Sequence, residues 1–191
     1  MLKLQVKKIL THKELEAMRL RFLSLCNKLA LPRKIAFQYF DQLISLYGQQ
    51  DRYYHNLVHI HNFLELKDAF LDKIEQPLLF ELAIWYHDVI YDAKNNNNEQ
   101  QSLYLLQDQF NNFLESKQMI YLDYLIMSTA GHFPKSNDSD VLYFLDFDLA
   151  ILATDEGTYK LYSDAIWKEY KRIYSRSMYQ NGRKKVLKSF L

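Results

Sequence analysis

The chain has 191 residues, of which 49% are hydrophobic and 25% charged, which is typical of one well-buried globular domain and excludes a disordered chain. Its 24 basic and 23 acidic residues give a net charge of +1, so no long-range field favours nucleic acid or an anionic membrane as a partner. The single cysteine, Cys26, excludes an intramolecular disulfide. Because residues 1–8 do not resemble a secretory signal and no apolar run could span a bilayer, we expect a cytoplasmic location.

The spacing of the apolar residues predicts an all-α fold. Only 4 glycines and 3 prolines punctuate the chain, and apolar residues recur at intervals of three and four rather than two. Thr11 begins a capping-box pattern ahead of a first helix, and Pro32 suits the first turn of a second helix that ends at Gly48. A third helix is predicted from about residue 56 to 71, and Pro77 opens a fourth.

The second half of the chain continues the helical pattern. A fifth and a sixth helix precede Gly131, and a seventh begins near Asp138. The last long helix is predicted to start after Asp155 and to include Ile173, with Gly182 separating a short basic tail helix. No repeat, linker or shift in composition divides the chain, so we predict one compact helical domain.

The most informative stretch is the end of the predicted fourth helix, where an apolar run delivers His87 and Asp88 side by side. In a buried helix such an ionisable pair is costly unless something neutralises or coordinates it. Imidazole nitrogen and carboxylate oxygen are both ligands for first-row metal ions. This dipeptide alone leaves two interpretations open: a metal site, or a core histidine hydrogen-bonded to its neighbour.

Two histidines four residues apart, His55 and His59, precede this stretch and would share one helix face if the segment is already helical. Such pairs bind zinc in HExxH proteases, but Asn56 stands where those enzymes need a glutamate base. We therefore do not expect a protease reaction. His61 lies about 200° further round the helix from His59 and should point elsewhere.

Two carboxylates, Asp146 and Asp148, interrupt an otherwise apolar helix. A solvent-facing position explains one of them but not both, since residues two apart point in different directions. One aspartate is therefore expected to face an interior charge. A histidine of the 55/59 pair, the His87-Asp88 dipeptide and this aspartate come from three segments and can supply four metal ligands. Such a set leaves positions on the ion open for water and substrate, as hydrolytic metals require.

These elements, taken in chain order, resemble a known family. The succession of His59, His87-Asp88 and Asp148 is similar to the HD superfamily of metal-dependent phosphohydrolases, all-helical proteins that hydrolyse phosphomonoesters, nucleotides or cyclic nucleotides. A closer resemblance, to a bacterial group of predicted HD phosphohydrolases, is carried by residues 85–92, 98–99, 146–152 and 182–183. It implies a single HD-type bundle over residues 1–191, with its metal-site core at about residues 52–175.

A second resemblance concerns the paired histidines. Residues 54–59 are similar to the opening motif of the cyclic-nucleotide phosphodiesterases, another branch of the superfamily. The resemblance implies that His59 binds metal and that His55 protonates the leaving oxygen as general acid. In that branch the last metal aspartate directly precedes a leucine, which favours Asp148 as the ligand and keeps Asp146 as the alternative.

We therefore predict a metal-dependent phosphohydrolase that acts on a small phosphorylated molecule such as a nucleotide or another phosphomonoester. Its cofactor would be a divalent ion (Mn, Fe, Mg, Zn, Ni or Co), and Asp88 could also bridge to a second ion. Arg52, three residues before His55, is the candidate cation for the phosphoryl transition state. Glu99 and His132 follow loops near the site and could orient water or hold a second metal, or have only capping or surface roles.

A different class of function stays open beside this one. The chain could be a regulatory module that binds metal and nucleotide but turns nothing over. His55 discriminates between the enzyme and the regulatory module. A protein that catalyses nothing has no need of a histidine that lies beside the metal without binding it. We expect neither nucleic acid nor a membrane as partner and leave a homodimer open.

Overall fold

The computed structural model describes residues 4–7, 9–134 and 137–190, and within these ranges the chain is helical without strands. The predicted all-α class is therefore confirmed. The α-helices are α1 His12–Lys28, α2 Arg33–Tyr47, α3 Leu57–Ala69, α4 Pro77–Tyr86, α5 Asn98–Phe110, α6 Ser116–Ser128, α7 Ser139–Asp148, α8 Glu156–Tyr170 and α9 Arg176–Ser189. Short 3₁₀ turns lie at Leu71–Lys73 and Ala150–Ala153. No helix in the described ranges combines the length and apolar character needed to cross a membrane.

Most helix ends follow the local signals in the sequence. Thr11 and Glu14 form the predicted capping box, in which each residue's side chain accepts a hydrogen bond from the other's backbone N–H. Pro77 is the first residue of α4, where the missing N–H costs nothing, and Gly48 caps the end of α2. Asn56 caps α3 by accepting a hydrogen bond from the Val58 amide.

The predicted end of the last long helix is wrong. Helix α8 stops at Tyr170, before Ile173, and Gly182 lies inside α9 rather than separating it from what precedes. The break occurs just before Ser175, whose hydroxyl accepts from the Met178 amide and caps α9. A single glycine costs a helix only about 1 kcal/mol, which does not end it when a better cap lies upstream.

Helix α4 is the central element of the core. Every residue from Leu79 to Tyr86 is buried, so this helix has no polar face and has to be covered on all sides. Trp85 packs edge-on against Phe22 of α1, with ring centroids 5.2 Å apart, and against Phe40 of α2 at 6.3 Å. The end of α4, where the His-Asp pair follows, is therefore fixed by its neighbours.

Three phenylalanines join the helices that carry the candidate site. Phe63 of α3 packs against Phe144 of α7 at 4.7 Å, and Phe80 of α4 packs against Phe144 at 5.1 Å. All three side chains are fully buried. Their rings pack α3, α4 and α7 against one another.

A buried ion-pair network joins α1, α3 and α4. The Glu81 carboxylate accepts hydrogen bonds from Lys67 at 2.6 Å and from Arg21 at 2.8 Å, and Arg21 also pairs with Asp68. Burial alone would raise the pKa of Glu81, but Arg21 and Lys67 hold it below its ordinary value. The ionised carboxylate therefore neutralises a buried lysine between the two helices that carry the candidate histidines.

We expect Glu81→Gln to lower the free energy of unfolding by about 3 kcal/mol, because it removes the buried counter-ion of Lys67 and leaves only the exposed Asp68 carboxylate, 3.7 Å away. Since folding lowers the pKa of Glu81, its contribution is complete above the ordinary pKa of 4.5 and is lost as the pH falls through the lower folded-state value. Urea unfolding measured across this pH range should show that dependence in the wild type and not in the variant. Glu16→Gln, which breaks the exposed pair with Arg19, is the matched control and should change nothing measurable.

Candidate metal centre

Three side chains from three helices meet at one point. His59 lies near the start of α3, His87 caps the end of α4 and Asp148 is the last residue of α7. One ligand atom from each lies within 4.8 Å of the other two. His59 Nε2 is 3.1 Å from His87 Nε2 and 3.2 Å from Asp148 Oδ1. Ligand atoms bound at about 2.1 Å to one first-row ion lie about 3.0–3.5 Å apart, so these spacings fit a shared cation.

Asp88 closes the group from the other side. Its Oδ2 is 3.2 Å from His87 Nε2 and 3.5 Å from His59 Nε2. Asp88 Oδ2 and Asp148 Oδ1 therefore both approach Nε2 of His59. Asp146, the alternative to Asp148, is exposed and takes no part in this cluster.

The electrostatics of the cluster call for a cation. Burial alone would raise the pKa of both Asp88 and Asp148, but the adjacent imidazoles hold the pKa of each carboxyl below its usual range. Burial likewise opposes a charge on His87, yet the two carboxylates raise its pKa well above the ordinary value. In the chain by itself, protons on imidazole balance the carboxylates. A divalent ion would take over this role and displace the protons.

The orientation of His87 suits a metal ligand. Its Nδ1 lies 3.0 Å from the carbonyl oxygen of Ile84, to which only a protonated Nδ1 can donate. This places a proton on Nδ1, so that the neutral ring, once a metal ion displaces the second proton, presents its Nε2 lone pair to the cluster. A backbone carbonyl that fixes the tautomer of a ligating histidine is a usual feature of metal sites.

His132, a candidate from the sequence, touches the cluster through Asp148. Its Nε2 is 3.0 Å from Asp148 Oδ2, while Asp148 Oδ1 faces His59. Burial would lower the pKa of His132, but this hydrogen bond raises it. The residue also has a left-handed backbone, with φ of 55°, a strained conformation that concentrates at functional sites.

His55 lies beside the cluster but not in it. It sits in the turn before α3, so the two histidines do not share a helix face, and its ring centroid is 6.3 Å from that of His59. Its Nδ1 is 2.6 Å from Glu169 Oε2 on α8, and its ring stacks on Tyr91 at 4.2 Å. Burial would lower the pKa of His55, but the Glu169 carboxylate outweighs it and raises the pKa.

Glu169 is held in place by several donors at once. Its Oε1 accepts from the backbone amides of Tyr53, Tyr54 and His55, and its Oε2 also accepts from the Tyr91 hydroxyl at 3.1 Å. The adjacent His55 imidazole, together with the backbone amides of Tyr54 and His55, keeps the pKa of the carboxyl below its ordinary value against the effect of burial. A fixed, ionised carboxylate therefore orients the His55 ring.

Arg52, the candidate cation from the sequence, lies beside the cluster with its donors directed at the protein. Its guanidinium is buried and donates four hydrogen bonds, to the Gln49 side chain and to the backbone carbonyls of His55, Asp88 and Val89. The bond to Asp88 O is 2.7 Å long. Burial lowers its pKa. With these donors directed at carbonyl groups, Arg52 holds the backbone around Asp88 instead of facing a substrate.

A cleft of about 600 Å³ opens from the cluster, a size that suits a small molecule. Asp88, Asp148, His132 and Glu99 are among the residues that line it. Burial raises the pKa of Glu99. Residues 95–98 are a run of asparagines, which composition alone suggests is low complexity, and Asn95, Asn96 and Asn98 of this run also line the cleft. Asn98 closes the loop through two hydrogen bonds with the backbone of Asp92.

No protein-family model, curated protein or solved structure matches this chain. The case for its function therefore depends on the geometry of its own residues.

Sequence reasoning missed two residues of the cleft region. Glu169 lies 114 positions from His55, and its neighbours in the sequence carry no motif, so no local signal predicts the pair. Arg183 lies in residues 182–183, one of the segments that resemble the HD superfamily. That resemblance was a signal that the segment matters, but the sequence alone indicated no role for Arg183. It lines the cleft from α9.

We expect Asp148→Asn to lose a bound divalent ion that the wild type retains, because the substitution removes a ligand charge from the cluster. Asp146→Asn, an exposed neighbour with the same chemistry, should keep the ion. Elemental analysis of the purified proteins makes the comparison. A chelator should lower the melting temperature of the wild type and of Asp146→Asn only, since binding to the folded state adds stability. Equal metal content in wild type and Asp148→Asn would contradict the centre.

Arg52→Met should lower the free energy of unfolding by about 3 kcal/mol, because several buried carbonyl groups lose their donor. Arg172→Met, at an exposed position between α8 and α9, should leave the free energy of unfolding unchanged. Thermal unfolding tests both. If Arg52→Met kept its melting temperature but lost turnover, the arginine would be acting on substrate.

Proposed function

We propose that this chain is a metal-dependent phosphohydrolase that acts on a small phosphorylated molecule. The observation that carries the proposal is the convergence of His59, His87 and Asp148, with Asp88 beside both histidines, at a cleft that the two aspartates line. The ligand types and spacings suit a divalent ion, and the cleft leaves room for a substrate. The succession of these residues in the sequence, which resembles the HD superfamily, supports the same proposal.

A divalent ion bound there would polarise a phosphoryl oxygen and lower the pKa of a water molecule. The residues of the chain supply the remaining needs of the reaction. Asp88 and Asp148 hold negative charge at a fixed position, and the hydrogen bond from His132 orients Asp148. The backbone bond from Arg52 keeps Asp88 in register with His87.

In this proposal His55 is the general acid. A leaving alkoxide needs a proton in the transition state, and the Glu169 carboxylate, which raises the pKa of His55, favours the protonated imidazole that can supply it. Glu169 fixes the ring through Nδ1, which leaves Nε2 as the atom that can give its proton to the leaving oxygen. The stacked ring of Tyr91 limits rotation of the imidazole.

The regulatory module remains the competing hypothesis. A regulatory module has to bind a metal and a ligand but does not have to turn the ligand over. That hypothesis does not explain why Glu169 orients His55 beside the metal centre. The decisive experiment loads the purified protein with manganese, iron or magnesium and screens phosphomonoesters, nucleotides and cyclic nucleotides. Turnover that Asp148→Asn abolishes and Asp146→Asn retains supports the enzyme; metal binding with no turnover of any class supports the module.

His55→Ala should slow hydrolysis of substrates with poor leaving groups by about 10²–10⁴ and leave metal content unchanged. The loss should be much smaller with nitrophenyl phosphate, whose leaving group needs no proton. His61→Ala is the matched control, because that histidine lies outside the cluster, and it should affect neither substrate. Metal loss in His55→Ala, or an equal slowing for both leaving groups, would contradict the assignment.

A further inference from the structure

The outer wall of the cleft is formed by α8 and α9. None of the α9 residues is buried, although Met178, Tyr179, Arg183 and Val186 all line the cleft along one face of this helix. Tyr179, Arg183 and Val186 follow at intervals of four and three, with Met178 directly before them, which puts these side chains on one face. The face directed at the cleft is thus both apolar and cationic.

Among the described residues, Arg183 differs from the other inward-facing cations in donating a hydrogen bond to neither a carboxylate nor a backbone carbonyl. Lys67 and Arg21 pair with Glu81, and Arg52 donates to backbone carbonyls. Arg183 is half-buried, and among the described residues its hydrogen bond goes to the neutral hydroxyl of Tyr162. Within the described part of the cleft lining it is the one arginine or lysine. A partly desolvated guanidinium that lacks a counter-ion is suited to a ligand anion.

A second observation lies one helical turn away. The hydroxyl of Tyr179 is buried and has no hydrogen-bond partner in the described ranges, and this residue also lines the cleft. Tyr179 and Arg183 are four residues apart on α9, so their side chains are neighbours. Buried hydroxyl groups usually find a partner, and an orphan beside an unpaired cation indicates a missing acceptor.

A short aromatic path links this pair to the metal centre. The Arg183 guanidinium lies 5.1 Å from the centre of the Tyr162 ring, which packs at 4.6 Å on Tyr54. Tyr54 in turn lies 5.1 Å from the ring of His59. Asp88, Asp148 and Arg183 also line the same cleft, so a molecule bound in it can meet both the carboxylates of the cluster and the cation of α9.

We propose that Arg183, with the Tyr179 hydroxyl, binds phosphoryl oxygens of the substrate. This inference rests on the proposed function and names the cation that function requires in place of Arg52. A guanidinium can donate two parallel hydrogen bonds to a phosphoryl group, and the tyrosine hydroxyl adds one more. No bond is made or broken by either residue; they hold the anion in the cleft.

The test uses inorganic phosphate as the probe and isothermal titration calorimetry as the measurement, on manganese-loaded full-length protein. Arg183→Gln should weaken phosphate binding about tenfold or more, since hydrogen bonds from charged groups are the stronger kind. Arg183→Lys, which keeps the charge but loses the fork, should restore part of the affinity. Lys185→Gln removes the same charge from an exposed position of α9 outside the cleft and should bind as the wild type does.

Metal content and melting temperature of each variant separate the outcomes. If all variants keep metal and Arg183→Gln binds phosphate as tightly as the wild type, the assignment of Arg183 is overturned while the metal centre stands. If the protein binds no metal but phosphate binding still depends on Arg183, the proposed hydrolase fails and the anion site survives. Should Arg183→Gln unfold, the comparison of Arg183→Lys with Lys185→Gln decides: equal phosphate affinity overturns the inference.

Discussion

The rest of the structure depends on two carboxylates, those of Asp88 and Asp148, that lie close together among aromatic side chains. Asp88 and Asp148 both lie within 3.5 Å of His59 Nε2, and the rings of Phe63 and Phe144 pack beneath the histidines. Carboxylates this close repel each other unless a cation lies between them. Helix α4 and helix α7 also end here, and the carbonyl groups at helix C-termini add further negative potential. The arrangement is stable only with positive charge at this point, whether as protons or as a metal ion.

Much of the fold could be predicted because the signals that set helix ends are local. Thr11, Gly48 and Pro77 act within one turn of their own position, so the residues themselves determine where α1, α2 and α4 begin or end. Gly182 misled because a glycine weakens a helix without necessarily ending it. Ser175, a better cap, lay seven residues upstream.

The candidate site was predictable to a different depth for different residues. His59, His87 and Asp148 stand out because ionisable groups in apolar runs are costly, and the structure places all three together. The sequence could not decide where Arg52 points, because a side chain of that length can reach carbonyls on a segment 37 positions away. Glu169 reaches His55 only through the packing of α8, which depends on the whole fold.

Around this centre, the residues form one continuous packed unit. Tyr91 stacks on His55, donates to Glu169 and lies 5.7 Å from the Arg52 guanidinium, which itself fixes the backbone of Asp88. Motion of any one of these groups would disturb the others. The wall formed by α9 is different, since it has no buried residue and contacts its surroundings through a few aromatic and cationic side chains. The cleft thus has a rigid inner side and a lightly attached outer side.

The two tryptophans of the chain lie on these two sides. Trp85 is fully buried in α4, two residues before His87, whereas Trp167 of α8 is partly exposed and lies 5.0 Å from the ring of Tyr179 and 4.8 Å from the Arg176 guanidinium. An indole in an apolar core emits at shorter wavelength and is shielded from aqueous quenchers. The intrinsic fluorescence of this protein therefore contains two separable signals, and the part that iodide quenches reports on the attachment of α9 without any added label.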